Sequence, residues 1–132
     1  MVYEIDGRRF CTLEEFFDEI STVLIPGSEW GRNLDAFNDI LRGGFGTSEG
    51  GFTIRWQNHA LSQERLGYKE TVRQLETRLQ RCHPSNRQAV AAELAAACAG
   101  RGPTVFDWLV EIVREHGPDG AEPEDGVHLV LD

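Results

Sequence analysis

Apolar and polar positions along this chain follow two rhythms, a short one that predicts strands and a longer one that predicts helices. Residues 2–5 (VYEI) predict a short strand, with Asp6-Gly7 as the turn after it. Leu13, Phe16, Phe17, Ile20 and Leu24 then recur at helical spacing, with Asp18 and Glu19 falling between them. Thr12 is placed to cap that helix, and Glu15 stands three residues on as the reciprocal partner of a capping box. Pro26-Gly27 stops it. Past Trp30-Gly31, Asn33 is placed to cap a second helix over about residues 34–42. Its apolar face is Leu34, Phe37 and Leu41, with Ile40 beside them. The stretch from Gly43 to Gly51 holds five glycines and predicts a loop, and residues 52–56 (FTIRW) predict a second strand.

The second half is richer in helix. Leu66, Val72, Leu75 and Leu79 could line one face of a helical stretch over residues 63–82, broken at Gly67. His83-Pro84 is a further break, after which Ser85 can cap a helix and Gln88 fits the box position. Val90, Leu94 and many alanines carry that helix to Gly100, and the small residues predict close packing. Thr104, with Asp107 at the box position, starts a last helix whose apolar side is Val105, Trp108, Leu109, Ile112 and Val113. Gly117-Pro118 ends it. Residues 127–131 (VHLVL) form a nearly unbroken apolar run, the pattern of a strand in the middle of a sheet. Strands separated by helices favour parallel pairing through right-handed crossovers. The expected architecture is α/β: a three-stranded parallel sheet packed by helices, in one domain over residues 1–132.

Charge narrows the function. The chain carries 22 acidic and 13 basic residues, for a net charge of −9. Residues 1–60 hold 10 acids and 5 bases, residues 61–100 hold 4 and 6, and residues 101–132 hold 8 and 2. The acidic ends repel nucleic acid and attract a basic partner. No apolar run nears the length of a membrane span. The N-terminus lacks the order of a signal peptide. Three widely spaced cysteines, Cys11, Cys82 and Cys98, do not form a disulfide framework. They point to a cytoplasmic protein with reduced, mostly buried thiols.

The candidate chemistry concentrates in residues 30–39. Asp35 lies at the start of the second helix, where the helix dipole tolerates a carboxylate. Asp39 lies one turn on, along the same face. Trp30, Gly31 and Asn33 build the entry, and Asn38 adds an amide. Two carboxylates on a rigid helix suit charge-assisted hydrogen bonds from guanidinium and ammonium groups. Exposed aspartates on a helix also occur with no partner at all. No nucleophile elbow, phosphate loop, zinc motif or calcium loop is present, and no cofactor is expected. An enzyme would need a cleft bringing Asp35, Asp39 or Glu111 together with His59 or His83.

The stretch WGRNLDAFNDIL (residues 30–41), the strand FTIRW, and TVFDWLVEIVREHG followed by VHLVL resemble the barstar family of intracellular ribonuclease inhibitors. The resemblance covers about residues 1–60 and 104–132. Residues 61–103 then read as a helical insertion before the last helix and strand. It implies that the second helix and its preceding loop enter the active site of a small basic ribonuclease, with acidic side chains in place of RNA phosphates. Carried over residue by residue, the contact set is Trp30, Gly31, Asn33, Asp35, Asp39 and Glu111, and Asn38 joins it as the amide beside the two carboxylates. Asn38, Glu29 and Gly44 stand where the family has aromatics. Those departures leave open a second reading, a protein-binding module of the same fold with a partner that is not a nuclease.

Overall fold

The computed structural model describes residues 1–132. Three strands, β1 (Val2–Asp6), β2 (Phe52–Gln57) and β3 (Val127–Leu131), form one parallel sheet in the order β1-β2-β3. Helices α1 (Leu13–Val23) and α2 (Leu34–Arg42) connect β1 to β2. Helices α3 (His59–Arg65), α4 (Tyr68–Arg81), α5 (Arg87–Cys98) and α6 (Val105–Glu115) connect β2 to β3. None of them is long and apolar enough to cross a membrane.

One face of the sheet is covered and the other is open. Ile5, Phe52, Ile54, Trp56 and Val127 point to the covered face and join a single apolar core with α1, α2 and α6. Glu4, Arg55, His128 and Val130 point the other way and are exposed. That alternation explains a difference from the sequence reading. β3 looked apolar enough for mid-sheet, but it is an edge strand, and β2 is central. Trp56 is fully buried in the centre, stacked on Phe16 at 5.5 Å and edge-on to Phe106 at 5.1 Å. Its indole N–H donates to Ser62 Oγ at 3.0 Å, so the buried donor is satisfied.

Local capping behaves much as the sequence predicts. Thr12 Oγ1 accepts from Glu15 N, and Thr104 forms a full capping box with Asp107. Glu15 reaches back to Cys11 N rather than to the N–H of the cap itself. Ser85 does not cap α5. Its N–H is taken by His83 Nδ1, which caps a one-turn 3-10 helix (Pro84–Asn86) ahead of α5.

Residues 59–81 are sewn into the fold by side chains of α4. The buried Glu70 carboxylate accepts from Leu13 N at 2.8 Å, at the start of α1. Thr71 Oγ1 accepts from Val105 N at 2.9 Å, at the start of α6. α5 is different. Only Val90 and Ala97 of it are buried and most of its alanines face solvent, yet it lies close along α4, as its small residues predict, while adding little to the core. The expectation of mostly buried cysteines fails as well. Cys98 rides on this outer helix, Cys11 sits on the turn before α1, and both are exposed.

Candidate protein-binding site

The approach to α2 is built by short-range chemistry. Trp30 lies edge-on against Phe17 of α1 at 5.4 Å, and its indole N–H donates to Ser21 Oγ at 2.7 Å. The ring is half-buried and pinned to α1. Arg32 takes a left-handed conformation (φ 52°), and its guanidinium pairs with Asp18. Asn33 then caps the helix: Oδ1 accepts from Ala36 N at 2.8 Å, and Nδ2 donates back to Gly31 O at 3.3 Å. Gly31 suits a tight approach. A Cβ there would stand 3.1 Å from both Ala36 Cβ and Asn33 Nδ2. Asp35 and Asp39 are both exposed on α2, one turn apart.

The two carboxylates keep different company. Asp35 has no ion-pair partner in the fold. Asp39 Oδ1 accepts from Arg42 Nη1 at 2.7 Å. Arg42 also binds Glu122 through two parallel hydrogen bonds, at 3.0 and 2.9 Å. The Glu122 hydrogen bonds hold the guanidinium of Arg42 above its ordinary range, and Arg42 in turn draws the Glu122 carboxyl below the usual carboxylate range.

Behind this pair lies His116, at the C-terminal end of α6 and fully buried. Its Nδ1 is 2.6 Å from Asp125 Oδ2 and 3.2 Å from Glu122 Oε2. Its Nε2 is 2.6 Å from Asn38 Oδ1. Asn38 therefore points into the fold and ties α2 to α6. Gly120 lets the loop between α6 and β3 fold back, because a Cβ there would run into the Arg114 and Glu115 carbonyls. Nothing in residues 30–42 announced this network. Its members come from positions 38, 42, 116, 122 and 125, and only the fold joins them. His116, Glu122 and Asp125 are also the one trio here whose donor atoms lie close enough to hold a metal ion, within 4.8 Å of one another. In this structure the carboxylates already face the His116 ring, and Arg42 holds Glu122.

Other candidates fall elsewhere. Glu111 is exposed on a groove between α6 and β3, lined also by Asp107, Arg114 and His128. Asp35 lines a separate groove between α1, α2 and α4. His59 Nδ1 donates to Asp132 O of the C-terminal residue at 2.9 Å, and His83 sits in the α4–α5 turn. Neither histidine lines the groove that holds Asp35 or the one that holds Glu111. Of the three positions lacking a family aromatic, Glu29 is exposed, Asn38 faces inward and Gly44 is exposed. Phe45 packs against the core and does not stand in for a projecting ring.

These features define a small parallel α/β domain that presents a capped, carboxylate-bearing helix on an open surface. A family model described as barstar, the barnase inhibitor, matches residues 1–95. The chain belongs to the barstar family. No individual curated protein matches it. The match runs through α3, α4 and most of α5, which the sequence reading set apart, and stops before α6 and β3, which that reading included. Barstar-family proteins bind ribonucleases and inhibit them; they are not enzymes.

Proposed function

We propose that this chain inhibits a small basic ribonuclease by laying α2 and its preceding loop across the enzyme's active site. The observation that carries this reading is the exposure of Asp35 and Asp39 on one face of a helix fixed at its start by Asn33 and Trp30. The carboxylates accept hydrogen bonds from the Arg, Lys and His that would otherwise hold RNA phosphates, and the helix excludes substrate. Long-range attraction to the acidic chain speeds encounter, and the short charge-assisted contacts slow release. Unpaired cysteines fit a cytoplasmic setting, where thiols stay reduced.

Titration against a panel of small basic ribonucleases that includes barnase tests this. One-to-one inhibition is expected for the wild type. The Asp35→Asn/Asp39→Asn double variant, with its circular dichroism unchanged, should lose about 3 kcal/mol or more of binding, the scale of removing buried charge pairs at such interfaces. Equal inhibition by this variant would remove the carboxylates from the mechanism.

A second reading rests on the aromatic positions. With Glu29, Asn38 and Gly44 in place of rings, the face lacks the projecting aromatics that anchor most tight interfaces. That composition favours a shallower, more polar partner of another class. Capture of one purified non-nuclease protein, lost in the same double variant, would support it.

A further inference from the structure

The groove beside the first turn of α2 carries charge of the wrong sign for a plain acidic plug. It has a volume of about 650 Å³ and walls from α1, the start of α2 and α4. Arg78 and Arg81 of α4 line it together with Asp35. The other arginines around the contact helix are occupied: Arg32 by Asp18, Arg73 by Glu14 and Glu70, and Arg42 by Asp39 and Glu122. Arg78 and Arg81 pair with no carboxylate, although the chain has 22 acids for 13 bases. Arg78 lies over the Trp108 ring at 5.1 Å, and Arg81 is exposed. The other end of α2 has the opposite sign. Glu49, Glu124 and Asp125 line the small groove below Arg42. The contact surface therefore runs from positive at α4 to negative at the loop before β3.

The geometry points to Arg78 and Arg81 as the second half of the interface, meeting carboxylates on the lip of the ribonuclease beside its basic cleft. This rests on the inhibitor reading and adds the charge order of the partner. An acidic lip lies over α4, and the cationic active site lies over Asp35 and Asp39. The arrangement selects among ribonucleases, because one with a uniformly basic face would set its cations against the arginines. RNA is the other polyanion that two arginines could hold. Asp35 and Glu14 share the groove and repel a phosphate chain.

Arg81→Glu separates the possibilities by sign, and the Arg81 side chain is exposed and makes no hydrogen bond or ion pair that the change would break. If α2 acts as an acidic plug alone, the more negative variant should associate faster. The bipolar interface demands slower association and a dissociation constant raised roughly tenfold. The readout is stopped-flow and equilibrium titration with whichever ribonuclease of the panel the wild type inhibits best. Replacing a lip carboxylate of that enzyme by Lys should restore binding of Arg81→Glu. Unchanged or tighter binding by Arg81→Glu, while Asp39→Asn still loses it, would overturn the bipolar interface and leave the inhibitor reading standing. A wild type that inhibits no ribonuclease of the panel would overturn both. Fluorescein-labelled single-stranded RNA held by the wild type and released by Arg81→Glu would assign the arginines to nucleic acid instead, and would also overturn the proposal.

Discussion

The first and last turns of α2 each offer a carboxylate to solvent, and they are held by opposite means. At the first turn Asn33 caps the helix, Trp30 pins the approach to α1, and Asp35 stands without a partner. All of this is built from residues within a short span of chain. At the last turn Asp39 is already bound to Arg42, which is bound to Glu122, which faces His116. That network draws on α2, α6 and the loop before β3. One end is fixed locally and leaves its charge free. The other is fixed by the whole fold and keeps its charge partly neutralised. A partner therefore finds Asp35 ready and must compete with Arg42 for Asp39.

The sharpest way to break this contrast is to remove the centre of the distant network. His116→Ala should cost about 2–4 kcal/mol of stability, because a buried ring is lost and Asn38 and Asp125 are left facing a void. Urea denaturation at neutral pH reads it directly. A loss below about 0.5 kcal/mol would mean that the network merely fills space.

At the other end the matching variant is Asn33→Ala, which removes the only side-chain cap of α2. A loss of about 1 kcal/mol is expected, the usual value of an N-cap. Its signature is local: hydrogen exchange should rise at the first turn of α2 and stay unchanged around His116. Spread of the exchange to the last turn would show that the two ends are not independent.

The same division explains what the sequence disclosed. Caps at Thr12, Asn33 and Thr104 were legible because donor and acceptor lie within three residues of each other. So were the strands and the glycine-rich loop. Asp35 and Asp39 were legible as a pair because helical spacing alone puts them on one face. The order of strands was not. An apolar run such as VHLVL does not say whether its second face meets a helix or water. The role of Asn38 was hidden for a similar reason. It reads as a polar contact residue until α6 brings His116 to within 2.6 Å. The ties from Glu70 to Leu13 and from Thr71 to Val105 span 57 and 34 residues, beyond any local pattern.

Arg42 tests the neutralised end most finely, because it restrains Asp39 and props Glu122 at once. In Arg42→Gln, Asp39 is free before the partner arrives and the local charge is more negative. Association with the basic ribonuclease should then quicken by a few-fold at low salt, and the gain should fade as ionic strength rises. The effect on folding runs the other way and depends on pH. Arg42 holds the Glu122 carboxyl below its ordinary range. That contribution to stability is complete above the ordinary carboxylate range, about pH 4.3, and is lost as pH falls through the lower value of the folded state. Arg42→Gln should therefore flatten the decline in urea midpoint below about pH 4.3. Association no faster than that of the wild type would show that Arg42 leaves Asp39 as free as Asp35, and a steeper acid decline would show that Arg42 does not prop Glu122.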